Sequence, residues 1–97
     1  MQNVKLLTPI TRGDAKFGEV TLRKPEVGAL RGLKLTDVLQ MDVGAMERLL
    51  PRITEPALLP ADVAALDPAD FLTMAGAVVG FFMGPEQLAA LRDSQPH

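Results

Sequence analysis

The side chains that most often carry catalysis or metal binding are scarce in this chain. The only histidine is His97, the last residue, the only serine is Ser94, and there is no cysteine. A histidine-activated nucleophile or a histidine and thiolate metal site needs more such groups. Neither a GxGxxG fingerprint nor a phosphate-binding loop is present. The sequence therefore predicts a protein that is not an enzyme and that needs no cofactor or metal.

The residues that most resemble a catalytic or metal-binding group are three carboxylates close together in the sequence, Asp62, Asp67 and Asp70. No histidine accompanies them. Asp67 stands directly before Pro68, which is typical of a helix start, where the carboxylate accepts a bond from a first-turn N–H. Asp70 would then lie near the positive end of the helix dipole. We expect helix capping rather than metal binding from these acids.

The helix that follows has no charged residue from Phe71 to Met83, and Gly84 and Pro85 come next. A helix that is apolar on every side must be covered on more than one side. It is either the central core element of a compact monomer, or part of its surface stays available for a partner. The candidate partner-binding or oligomer-interface residues are Phe71, Met74, Val78, Phe81 and Phe82.

One side of this helix carries small residues at three- and four-residue spacing: Ala69, Thr73, Gly76 and Gly80. Interior glycines each cost about 1 kcal/mol of helix propensity relative to alanine. Their presence predicts that another backbone packs closely there. Gly84 is expected just past the last turn, in the left-handed conformation that often ends a helix.

The elements before this helix predict an α+β fold, with a β-hairpin over about residues 3–22 and three to five short helices over about residues 25–92. Alternating apolar residues indicate the two strands, and Gly13-Asp14 lies in a several-residue loop from Thr11 to Lys16. Pro9 places the first strand at a sheet edge or ends its pairing. Residues 1–97 are expected to form one small domain.

The helical part is divided by prolines. Pro25 is expected at the first position of a short helix, and brief turns follow near residues 36–39 and 61–66. Asp42 caps a longer helix from Val43 to about Ile53, whose apolar face comprises Val43, Met46, Leu49, Leu50 and Ile53. Pro51 should kink or stop this helix near Leu50. Residues 54–60 read as a loop, and a last short helix begins at Pro85.

Charge and length exclude several classes of protein. The 97 residues carry a net charge of -2, and the basic residues are scattered, whereas a nucleic-acid-binding surface needs them clustered. The N-terminus lacks the pattern of a secretory signal, and the apolar run is shorter than the ~20 residues that span a bilayer. We expect a cytoplasmic protein that binds neither nucleic acid nor membrane.

The order of these pieces resembles the tail assembly chaperone family of Mu-like contractile-tailed phages, the E, 41 or 14 type. The resemblance rests on VKLLTPIT in the first strand, on VTLRKPEVGAL with Arg23 and Pro25, and on Leu66, Asp70 and Phe71 followed by the Phe81-Phe82 pair. Thr54-Glu55-Pro56 stands where many members have a Thr-Gly-Leu turn. Residues 32–42 match nothing specific.

The resemblance implies a non-catalytic chaperone that coats the apolar tape-measure protein, keeps it soluble and recruits tail tube subunits. Such chaperones act in the host cytoplasm and are absent from the mature virion. A ribosomal frameshift often adds a C-terminal domain, and this sequence resembles the short form. Because the apolar helix exceeds what so small a domain can cover, we also expect a homo-oligomer.

Two other functions remain open. The chain is alternatively a permanent structural subunit of a phage tail or of another homo-oligomeric assembly. A regulatory or nucleic-acid-binding module is the second alternative, and the scattered positive charge disfavours it.

Overall fold

An antiparallel sheet of three strands, in the order β1-β2-β3, is combined with short helices in this fold. A computed structural model describes residues 1–84. The strands are β1 (Gln2–Arg12), β2 (Ala15–Leu22) and β3 (Thr54–Glu55); the helices are a 3-10 helix (Val27–Leu30), α1 (Leu35–Leu39), α2 (Val43–Ile53), α3 (Pro60–Ala64) and α4 (Pro68–Phe81). The predicted α+β class, with a hairpin first and short helices after it, is confirmed. The helix predicted from Pro85 lies outside the described residues.

The hairpin turn is tighter than the sequence suggested. Arg12 pairs directly with Ala15, so Gly13 and Asp14 alone make the turn, and the predicted longer loop is wrong. Gly13 has a φ of 59°, a left-handed value that suits the first central position of a type II′ hairpin turn. Glycine reaches this conformation without the steric cost of a Cβ, and the strands can therefore pair up to the turn.

Strand β1 is interrupted in its middle. Lys5 pairs with Glu19 and Ile10 pairs with Phe17, so residues 6–9 of β1 face only residue 18 of β2. The irregular stretch contains Pro9, which has no N–H to give to the ladder. Of the two alternatives predicted for Pro9, the edge position is confirmed, because β1 lies at the edge of the sheet. The pairing is interrupted over residues 6–9 but does not end there, since it resumes at Ile10.

The core lies between the hairpin and the two longest helices. Its members are apolar residues with almost no exposed surface: Val4, Leu6, Ile10, Val20 and Leu22 from the strands, Ala45, Met46, Leu49, Leu50 and Ile53 from α2, Met74, Ala75 and Val78 from α4, and Val38, Leu58 and Val63 from the segments between them. Full burial of one such large side chain is worth roughly 1.5–3 kcal/mol. The fold thus rests on contacts between its N-terminal and C-terminal halves.

Helix α2 spans Val43–Ile53, the bounds that its apolar spacing predicts. Asp42 caps it, accepting a 2.9 Å bond from the Ala45 N–H, as expected. Val43 is 59% exposed, because this first helical residue lies at the margin of the core, and Ala45 is buried instead. The helix continues through Pro51 to Ile53, so of the kink or stop predicted for this proline the stop is wrong. A proline so near the end removes a single helical bond, and burial of Ile53 holds the last turn.

The connecting segments contain more structure than was predicted. The helix expected from Pro25 is a 3-10 helix that starts two residues later, with Glu26 as its N-cap. The predicted loop over residues 54–60 begins with β3, in which Thr54 pairs with Leu22. The Thr54 hydroxyl donates to the Leu50 carbonyl at 2.7 Å and accepts from the Leu58 N–H at 3.0 Å. Two residues are too few for alternation to reveal a strand.

Candidate partner-binding surface

Helix α4 forms as its sequence predicts. Asp67 caps the helix by accepting a 2.8 Å bond from the Ala69 N–H, and Pro68 occupies the first turn. The helix ends at Phe81 with Phe82 as its C-cap in right-handed conformation. The end therefore comes before Gly84, which the sequence had placed at the cap.

The five candidate interface residues divide into two groups. Met74 and Val78 have no exposed surface and lie in the core. In this fold they cannot belong to an open surface, and for them the compact-monomer alternative describes the structure. Phe71, Phe81 and Phe82 are half-buried, packed against the core on one side only. Their role in binding stays a prediction.

The small-residue side of α4 is open within the described part of the chain. A Cβ built on Gly76 or on Gly80 meets no atom within 4 Å. Ala69 and Thr73 are exposed on the same side, and Leu72 nearby is 61% exposed. No backbone of residues 1–84 makes the close approach that the sequence predicted at these glycines.

An apolar groove lies at the C-terminal end of α4, and we call it the Phe82 groove. Its lining consists of Val27 and Leu30 of the 3-10 helix, Leu33, Leu35, Phe82 and one charged residue, Arg31. Its volume is about 480 Å³. Val27 is 85% exposed and Leu35 48% exposed, so apolar side chains form its rim as well as its floor.

A smaller apolar groove of about 250 Å³ lies at the other end of α4, and we call it the Phe71 groove. Its lining includes Val43, Val63, Leu66, Phe71 and one charged residue, Glu47. The two grooves therefore resemble each other in apolar character and differ in the sign of their charge. Concave apolar sites with few polar groups are the usual starting point for a binding hypothesis.

The wall of the Phe82 groove is tied to α2. The Arg52 guanidinium donates from one nitrogen to the carbonyls of Ala29 and Arg31, at 2.7 and 2.9 Å. Gly32, next in the chain, has a φ of 82° and turns the backbone toward α1. Because a charged donor holds two carbonyls of this loop, the groove is largely preformed in the folded chain.

Sequence reasoning named one residue in each groove, Phe82 and Phe71, and missed the rest of the lining. Residues 32–42 had matched nothing specific, yet Leu33 and Leu35 come from that segment. A usable signal was present, because Val27, Leu30, Leu33 and Leu35 are apolar residues in a segment too broken by glycine to form a core helix.

The three aspartates serve structural contacts. The hydrogen bond from the Leu59 N–H, at 2.8 Å, and then the Arg12 guanidinium hold the pKa of Asp62 below its usual value of 3.8, against an opposing effect of burial. Asp70 accepts from the Leu7 N–H at 2.8 Å and from the Thr8 N–H at 3.0 Å. It thus tethers the interrupted part of β1 to α4, and it also lies in the first turn of α4, as predicted.

Residues 1–84 offer neither a metal site nor a membrane-spanning helix. No three acidic, histidine or cysteine side chains lie close enough there to hold a metal ion. No helix of this part of the chain is both long enough and apolar enough to cross a membrane.

Known proteins resemble this chain over nearly its whole described length. A family model for phage tail assembly chaperone proteins, E, or 41 or 14, matches residues 3–83. Tail assembly protein E of Escherichia phage P2 is 44% identical over 78 residues, which is 80% of this chain and 86% of that relative.

Tail assembly protein E′ of the same phage is 42% identical over 80 residues, 82% of this chain. The chain spans only 56% of the length of that relative. No solved structure matches the chain. The resemblance seen in the sequence motifs is confirmed, and the chain belongs to the family of phage tail assembly chaperone proteins.

Proposed function

We propose that this protein binds apolar helical segments of the tape-measure protein and keeps that protein soluble until the tail tube forms around it. Membership of the tail assembly chaperone family supports a role in assembly. The observation that carries the binding step is the pair of open apolar grooves at the two ends of α4. Both are lined by apolar side chains, and a client's apolar surface that covered them would remove apolar area from water on both molecules.

The energetics suit a reversible contact. Each large apolar side chain that a client buries is worth roughly 1.5–3 kcal/mol before the costs of association. A few such side chains give a complex that tube subunits can displace as they cover the same client surface. The protein then recruits tube subunits, in part through a frameshift-extended form, acts in the host cytoplasm and is left out of the mature virion.

Co-expression tests this function. The tape-measure protein from the same locus is produced with the chain, with an unrelated small α+β protein, or alone, and its soluble fraction is measured. We expect a higher soluble fraction only with the chain. An unchanged soluble fraction would contradict the chaperone function.

A permanent structural subunit is the second candidate, and the edge position of β1 favours it, because an 11-residue edge strand can pair with another chain. Mass spectrometry of purified particles separates the two functions. A chaperone is absent from the particles, whereas a subunit is present in many copies.

The homo-oligomer stays a prediction. It is supported by exposed apolar side chains such as Leu7 and Leu72, which are 76% and 61% exposed. Light scattering at several protein concentrations measures the oligomeric state, and a constant monomer mass would contradict it.

A further inference from the structure

We propose that the Phe82 groove takes a client helix that carries an acidic side chain beside its apolar face. The proposal rests on the proposed function, since it assumes that the chain binds apolar helices. It adds which of the two grooves binds the client and which charge the client helix carries.

The apolar part of the groove suits a helix. Leu30, Leu33 and Phe82 are half-buried and form its floor, while Val27 and Leu35 stand at its rim. With about 480 Å³ it falls in the size range of sites that enclose a small ligand, and it is larger than the Phe71 groove at about 250 Å³. Apolar side chains spaced one helical turn apart could enter it together.

The charge of the occupant follows from Arg31. Of the described residues 1–84 that line the Phe82 groove, Arg31 is the only charged one. Among residues 1–84 the ion pairs are Arg12 with Asp62 and Arg23 with Glu55, so Arg31 has no carboxylate partner there. A guanidinium binds a carboxylate through two parallel hydrogen bonds.

The Phe71 groove provides the contrast. Its one charged lining residue is Glu47, which would repel the same carboxylate. The backbone of Arg31 is also fixed, since its carbonyl accepts a 2.9 Å bond from Arg52. A client with an acid beside its apolar stripe therefore selects the Phe82 groove over the Phe71 groove.

Two labelled synthetic peptides test the charge requirement with the full chain. Both have leucines at positions i, i+3, i+4 and i+7 of a helix, and they differ in having glutamate or lysine beside that stripe. Fluorescence anisotropy gives the affinities at several salt concentrations. We expect the glutamate peptide to bind about 2- to 5-fold more tightly at low salt, with the difference shrinking as salt rises. Arg31→Glu should reverse the preference.

A matched pair of variants tests the location. Leu35→Gln changes the rim of the Phe82 groove and Val43→Gln the rim of the Phe71 groove. Each residue is the first of a helix, and they are 48% and 59% exposed, so both variants should fold. We expect Leu35→Gln to weaken peptide binding severalfold and Val43→Gln to leave it unchanged.

Three results would overturn the proposal: affinities that do not depend on peptide charge, equal losses in the two variants, or self-association that Leu35→Gln abolishes, which would make a second copy the occupant. The peptide assay needs no tape-measure protein. If co-expression solubilises that protein while the peptides show no charge preference, the groove proposal fails and the proposed function stands. If the peptides show the charge preference while co-expression leaves the tape-measure protein insoluble, the proposed function alone is contradicted.

Discussion

Asp70 should be the most sensitive polar residue of the fold. Its carboxylate, 2% exposed at the start of α4, accepts bonds from the N–H groups of Leu7 and Thr8, more than sixty positions earlier in the chain. These two donors lie where β1 has lost its pairing with β2. Asp70→Asn keeps the size of the side chain and replaces one acceptor oxygen by an NH₂ group that faces a donor.

The magnitude follows from these contacts. A hydrogen bond to a charged group contributes about 1.5–3 kcal/mol, and burial prevents water from replacing the lost acceptor. Removal of a negative charge from the first turn of α4 costs a further ~0.3–1 kcal/mol. We therefore expect a loss of about 2–4 kcal/mol in the free energy of unfolding. For a domain of this size that lowers Tm by roughly 10–30 °C.

Far-UV circular dichroism is the suitable probe, because the chain has no tryptophan or tyrosine. Thermal and urea unfolding should be followed at several protein concentrations, so that self-association is separated from folding. Asp67→Asn is the matched control. It removes the same charge three residues earlier, and asparagine caps a helix about as well as aspartate. Asp67 also accepts a 3.2 Å bond from the Thr8 hydroxyl, an exposed contact that the asparagine amide can replace by donating to the same hydroxyl. If Asp70→Asn destabilises the protein no more than Asp67→Asn does, the tether does not contribute as argued.

Three further perturbations test other parts of the structure. The pKa of Asp62 is lowered in the folded state, so its contribution to the free energy of unfolding is complete above its usual pKa of 3.8 and disappears as the pH falls through the folded-state value. The difference in free energy of unfolding between wild type and Asp62→Asn should therefore disappear in acid. A difference that does not depend on pH would refute this. Gly76→Ala and Gly80→Ala should each raise the free energy of unfolding by about 0.5–1 kcal/mol, since the added methyl meets open space; a loss in denaturant titrations would show that something packs there. Gly32→Ala should cost about 1 kcal/mol because φ is 82°, whereas Gly28→Ala, where φ is not positive, should not; equal Tm values would count against the strain.

Local signals in the sequence were sufficient to predict the helices and strands that contain them. Asp42 and Asp67 each begin a helix and cap it through a bond to a first-turn N–H. The Gly13 turn joins two strands with alternating apolar residues. Caps, turns and periodicity depend on residues a few positions apart, and no knowledge of the rest of the chain is needed to read them.

Contacts between distant segments could not be predicted in this way. The partner of Asp70 is a backbone stretch at residues 7 and 8, which carries no side-chain signal. A helix apolar on all sides gives no indication of which side faces the core, so Met74 and Val78 were grouped with the phenylalanines. The grooves were missed for the same reason, since each combines one end of α4 with residues from other elements.

The position of the two grooves follows from the geometry of α4. Phe71 and Phe82 are eleven residues apart, which in an α-helix is roughly 20° of rotation and about 16 Å of length. They therefore lie on the same side as Val78, which is fully buried. This side has its buried residues in its middle, from Met74 to Val78, and half-buried rings at its two ends. Within residues 1–84 the apolar stripe is thus longer than the sheet and helices that cover it, and its two ends are half-exposed where the grooves open. These residues bury the centre of the helix, and its two ends are the surface that the proposed client would cover.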